Sequence, residues 1–137
     1  MSFQRRIGEH EVRVDDADIM TIVFRGSLGA QDMQEILRAH DEKLLRDGDL
    51  FVISDLRSLT SVEPGARHAL GARSRTLPGY CVAYMVPSFQ VKLFLEVLLR
   101  AANFRLKGKV VYRIVDDEAS GREWLIDVRH KRKHAPV

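Results

Sequence analysis

Few side chains in this sequence belong to the types that carry covalent or metal chemistry. Cys81 is the only thiol, and it stands inside the apolar run Tyr80 to Val86. A free cysteine in such surroundings packs rather than attacks. His40 falls on the apolar side of a helical pattern and is expected to be a hydrogen-bonded core residue. His10 and His68 have no partner close in sequence. Asp15, Asp16 and Asp18 crowd a short polar link, where carboxylates are ordinarily solvated. Gly26-Ser27-Leu28-Gly29 precedes a helical pattern but lacks a third glycine and the Lys-Ser/Thr that complete a phosphate loop. No HExxH, CxxC or EF-hand spacing occurs. The residues therefore point to no enzyme, no metal and no cofactor.

The elements that would position these groups are legible from periodicity. Residues 7–15 alternate in part, with His10, Val12 and Val14 on one face, and read as a strand. Ile19 to Phe24 is a second apolar run, and the short polar link between the two implies an antiparallel hairpin. Ala30 to Arg46 has helical spacing, with Met33, Ile36, Leu37, His40 and Leu44 on one stripe, and Gly48 stands at its stop. Leu50 to Ile53 reads as a buried strand that runs into a loop. Glu63-Pro64 opens a helix to Thr76, since proline at the first helical position loses no needed N–H; Ala66, Ala69, Leu70, Arg73 and Leu77 form its inner side. Tyr80 to Val86 reads as a central strand, Ser88 to Leu106 as the longest helix, Lys109 to Val115 as a strand, and Ala119 to Arg129 as the last helix, with Trp124, Leu125 and Val128 inward. The order β-β-α-β-α-β-α-β-α implies a five-stranded mixed sheet with an N-terminal antiparallel hairpin and four helices.

The chain has 137 residues, 45% hydrophobic and 30% charged, which suits one domain with its own core. A single domain is expected over residues 1–128. The net charge of +3 owes four positive charges to Arg129, Lys131, Arg132 and Lys133. The high basicity thus belongs to residues 129–137, read as a frayed tail. The body carries no basic stripe of the kind nucleic acid requires. The longest apolar stretch is broken by Lys92, Glu96, Arg100 and Arg105, which argues against a membrane span. A lone cysteine and the lack of a long apolar leader suggest a cytoplasmic protein.

The order of elements over Gly8 to Val128 resembles the STAS fold of bacterial anti-sigma-factor antagonists, and more closely its SpoIIAA-like, STAS/SEC14-type branch. The carriers are Phe24-Arg25-Gly26 closing the second strand, Phe51-Val52-Ile53-Ser54-Asp55-Leu56, and Glu118-Ala119 followed by Trp124-Leu125. In the antagonists an Asp-Leu segment precedes a helix start whose serine is phosphorylated to switch a partner. Here Asp55-Leu56 matches the first part, but the helix start reads Glu63-Pro64-Gly65-Ala66, without serine. The resemblance implies a non-enzymatic regulatory module that lacks the phospho-serine switch. Its partner, an anti-sigma-like regulator, would meet the loop bearing Asp55, Ser58, Thr60, Ser61, Glu63 and Gly65. The hydroxyls in that loop otherwise read as turn and capping groups.

The helix 88–106 adds a second candidate surface. Lys92, Glu96, Arg100 and Asn103 form a narrow polar stripe. Phe94, Val97, Leu98, Ala101 and Phe104 are expected to face the sheet. That leaves Val91, Leu95, Leu99, Ala102 and Leu106 as a surplus apolar flank, when a helix on one sheet needs only one buried stripe. The flank can be covered by neighbouring helices, by a second copy in a homodimer, or by an apolar small molecule or lipid beneath the helix.

Overall fold

The computed structural model describes residues 3–74, 80–105 and 110–133, except for the side chains at 71–74, 102, 104, 105 and 133. Its strands are β1 (Phe3–Ile7), β2 (His10–Val14), β3 (Met20–Leu28), β4 (Phe51–Val62), β5 (Cys81–Met85) and β6 (Val111–Ile114). Its helices are α1 (Ala30–Asp47), α2 (Pro64–Ser74), α3 (Phe89–Arg105) and α4 (Glu118–Lys133). The strands lie side by side in sequence order; β1, β2 and β3 pair antiparallel, and β3 to β6 pair parallel.

The fold class is as expected from sequence, but the sheet has six strands rather than five. The region read as one strand at 7–15 begins a hairpin further upstream: Ile7 pairs with His10 across the two residues Gly8 and Glu9. Gly8 has φ +59° while Glu9 keeps a negative φ, the signature of a II′ turn with glycine first. β1 was hidden because Phe3, Gln4, Arg5 and Arg6 are all exposed on the sheet's edge and show no apolar alternation. A second correction concerns the last helix, which continues through Lys133. Arg129 and Arg132 therefore stand on this helix above the Phe51 ring, at 5.7 and 5.9 Å.

Consecutive parallel strands laid down in one direction place their right-handed crossover helices on one face. α1, α2 and α3 are those crossovers. The register row Ile22–Ser54–Tyr84–Ile114 belongs to their face, and Thr21–Ile53–Ala83–Arg113 to the other. Each face has its own core. Val12, Ile22, Val52 and Val82 pack with Met33, Ile36 and Leu37 of α1 and Ala66 of α2. Ile53, Cys81, Ala83 and Met85 pack with Leu125 of α4. The apolar stripe expected on α1 is the buried one, and Leu44 is half-buried at its end.

One polar joint ties the two faces. The turn between β2 and β3 carries Asp15 and Asp18. Asp15 accepts the Ile19 N–H (3.1 Å) and meets Arg122 of α4 at 2.8 Å. Asp18, at φ +65°, meets Lys43 of α1 at 3.0 Å, and Lys43 also meets Asp47 at 2.6 Å. Arg129 of α4 donates to the Ala17 carbonyl at 2.6 Å. These turn carboxylates thus bind cations rather than water alone. Lys43 is only 2% exposed, so removing it strands two carboxylates against each other. Both acids keep some solvent, which places the cost of Lys43→Met at about 2 kcal/mol, below that of a fully buried pair. A urea titration at neutral pH checks this, with Asp18→Asn expected to cost less than Lys43→Met.

Candidate functional site

Among the described residues, Cys81 and the histidines of the sequence analysis do not gather into one cluster. Cys81 is fully buried, and burial pushes its thiol pKa up, against a smaller opposing pull from Arg132. It is packing on the α4 side of the sheet. His40 is buried on α1 beside the Tyr80 ring at 6.2 Å. His10 is fully buried; its Nδ1 accepts the Arg25 N–H at 3.0 Å, which puts the ring proton on Nε2, 3.6 Å from Asp32 Oδ2. His68 is exposed on α2. Among the described residues no group of three His, Cys, Asp or Glu could hold a metal ion.

The segment read as a partner-binding loop is a strand for most of its length. β4 continues to Val62, and Ser61 and Val62 pair with Ser27 and Leu28 after two register shifts. Leu56, Leu59 and Val62 pack against the core, which holds the strand down where the sequence shows only hydroxyls and a charge. Ser58, Thr60 and Ser61 are exposed, and the Ser61 and Ser27 hydroxyls meet at 3.0 Å. The Glu63 backbone N–H donates to the Leu28 carbonyl, and its carboxylate lies over Gly29, the residue that caps α1. A carboxylate there complements the positive helix end. Gly65 touches Ala30: a Cβ at Gly65 would sit 2.8 Å from the Ala30 Cβ, so glycine lets the starts of α2 and α1 meet. Glu63 and Gly65 are thus joined to the start of α1. Asp55 turns to the opposite face, where it accepts two 3.0 Å bonds from the Arg57 guanidinium and a 3.1 Å bond from the Arg57 N–H. The six residues therefore form no single cluster.

α3 presents the larger surprise. Asn103 donates its amide to the Val110 carbonyl and accepts the Val110 N–H, both at 2.8 Å. That pair of hydrogen bonds fixes the rotation of the helix. Val91, Leu95, Leu99 and Asn103 share one row at a spacing of four, so the same row turns inward; Leu99 is buried, and Val91 and Leu95 are half-buried. The residues expected to face the sheet turn outward instead: Phe94, Val97 and Leu98 are 66%, 64% and 50% exposed, with Phe89 and Leu93 beside them. The described members of the two flanks have exchanged places, and the Phe104 side chain lies outside the described residues. The Ala102 side chain and Leu106 lie outside the described residues. Among the described residues, neither core cluster includes a side chain of α3. Tyr80, Tyr84 and Tyr112 are half-buried and pack against the core on the α1 side of the sheet. Burial raises the Tyr84 hydroxyl pKa well above its usual value, and burial also raises that of Tyr80, to which Tyr84 is hydrogen-bonded.

This architecture is the SpoIIAA-like α/β fold. No family model matches the chain, and no curated protein matches it either. Solved structures do. An uncharacterized protein of the DUF3478 family with a SpoIIAA-like fold, from Shewanella loihica, is 16% identical; the match covers 91% of this chain and 92% of that one, with a TM-score of 0.53. The anti-sigma factor antagonist SpoIIAA in its unphosphorylated form is 13% identical over 94% of this chain and 98% of that one, with a TM-score of 0.47. The fold assignment stands on the first of these.

The Asp55–Arg57 pair yields a pH dependence. Burial pushes the Asp55 pKa up, but the Arg57 bonds outweigh it, and the net position is below the usual 3.8. A depressed carboxylate stabilises the fold above its unfolded pKa, and that stability is lost as pH falls through the folded value. Asp55→Asn is therefore expected to be less stable than the parent at neutral pH. The difference should shrink as pH drops below about 4, read from urea midpoints across the acid range.

Proposed function

We propose that this chain is a non-enzymatic interaction module of regulatory type that docks a protein partner on the outer face of α3. The observation that carries the reading is the row Phe89, Leu93, Phe94, Val97 and Leu98, which offers an apolar patch on the order of 400 Å². Contiguous patches of that size on a small domain mark contact sites more often than idle surface. The neutralised state of Cys81, the separation of the histidines and the likeness of fold to SpoIIAA-like proteins all favour binding over catalysis. The partner is a regulatory protein with an apolar patch of its own, as an anti-sigma-like protein would have, or a second copy of this chain. The exposed hydroxyls Ser58, Thr60 and Ser61 and the Glu63–Gly65 corner form a subsidiary polar contact. The start of α2 has no serine, so the module works without a phospho-serine switch. No described helix is long and apolar enough to cross a membrane; a cytoplasmic location is part of the proposal.

A second reading rests on a separate observation. Tyr80, Tyr84 and Tyr112 on the sheet, and Val91 and Leu95 on α3, each keep some exposure to solvent. An amphipathic small molecule or lipid beneath residues 88–106 would complete that layer, with its polar end at the phenols.

The double variant Phe94→Asp, Val97→Asp separates these readings from each other. It is expected to keep the parent's circular dichroism spectrum and to lower recovery of the bound partner, or of the dimer, by more than tenfold, as read by native mass spectrometry of affinity-purified complexes. Arg38→Asp on α1 serves as the control and retains full recovery. Unchanged recovery in the double variant sinks the docking role of α3. A retained small mass in the parent, unaffected by the two outward substitutions, supports the ligand beneath the helix.

A further inference from the structure

The sheet has two edges, and they are finished differently. On β1 the edge carries exposed Arg5 and Arg6, charges that discourage a further strand. On β6 the backbone alternates. Val111 and Val115 donate their N–H groups inward to the Tyr80 and Tyr84 carbonyls, at 2.9 Å each. In a parallel pair, both backbone groups of a residue point to the same side. Residues 111, 113 and 115 therefore face β5, and residues 110, 112 and 114 face away from it. The Asn103 amide takes both outward groups of Val110. Beyond that clip, the N–H and C=O of Tyr112 and of Ile114 have no backbone partner among the described residues. They form a two-residue template for a further strand.

A groove runs beside this template. It lies between β6 and α4, encloses about 720 Å³, and includes Arg113, Asp116, Glu123, Trp124, Asp127 and His130 in its walls. Three carboxylates face one guanidinium there, with Lys131 reaching Asp127 at 3.0 Å. A strand added to β6 would project every second side chain into this groove. We propose that the β6 edge is a strand-addition site for an extended peptide segment of a partner protein carrying a basic side chain, which would lie along Glu123 and Asp116 while its aliphatic stem covers Trp124. The binding would use main-chain bonds for affinity and the groove for selection. This goes beyond the docking role of α3 and stands on different atoms.

A second copy of the chain fits this edge poorly. Self-pairing that uses both outward residues must set Tyr112 opposite Ile114 of the copy, and that register puts Arg113 opposite Arg113. Those two side chains would stand in the non-hydrogen-bonded pair, where side chains approach most closely and like charges repel. A register centred on Tyr112 needs Val110, which Asn103 already occupies. A register centred on Ile114 needs residue 116, where the strand has ended in a bend.

Two capped hexapeptides test the proposal on the full chain, one alternating valine with lysine and the other valine with glutamate. The lysine peptide is expected to bind at least tenfold more tightly and to slow amide exchange at Tyr112 and Ile114. Ile114→Pro removes an N–H that has no backbone partner among the described residues, and an edge tolerates proline. It is expected to abolish peptide binding and leave the urea midpoint unchanged. Glu123→Lys, at an exposed position, is expected to reverse the preference between the two peptides. Equal binding of the two peptides, protection that falls outside β6, or parent-like binding by either variant overturns the assignment. Protection at Tyr112 and Ile114 that rises with protein concentration alone overturns it in favour of self-pairing.

Discussion

The turn between β2 and β3 is the constraint on which the rest of the architecture depends. A sheet with helices on both faces needs something to set the two layers against each other, and apolar packing alone sets no fixed register. Here Asp18 reaches α1 through Lys43, while Asp15 and the Ala17 carbonyl reach α4 through Arg122 and Arg129. One short segment thus references both helical layers to the antiparallel end of the sheet. The geometry is demanding: Asp18 accepts a left-handed backbone, a conformation that aspartate tolerates better than most residues. Lys43 is carried almost wholly out of solvent, a state viable only because two carboxylates meet it.

With that joint in place, the division of labour between the faces follows. α1 and α2 close their side with a dense core, and α4 closes the other with Leu125, Trp124 and Val128. α3 stands apart. Its rotation is set by one carboxamide gripping both backbone groups of one residue, Val110, and its most exposed apolar side chains point at solvent. That outward row is the surface on which the proposed docking rests.

How much of this was legible in the residues depended on how local the deciding interaction was. The α1 stripe and the stop at Gly48 are local, and the sequence reading matches them; the helix caps are equally local, with Ser88 Oγ accepting the Val91 N–H and Asp117 the Ser120 N–H. β1 escaped notice because an edge strand has no buried face to print a pattern. The far half of β4 escaped because its hydroxyls resemble a loop, and only Leu56, Leu59 and Val62 hint at the covered side. The roles of Asp15 and Asp18 were hidden because Arg122 and Lys43 lie distant in the chain. The α3 flanks were assigned the wrong way round for a related reason. The helix is apolar on most of its circumference, so its own periodicity does not choose an inner side; the choice rests with Asn103, which read simply as one more member of a polar stripe.

The sequestered thiol of Cys81 has a practical corollary. It lies at zero exposure on a central strand, between layers that must separate before any reagent can arrive. A sulfhydryl dye added to the untouched polypeptide would therefore act as a clock for the parting of sheet from α4, with no label engineered and no competing site to blur the trace.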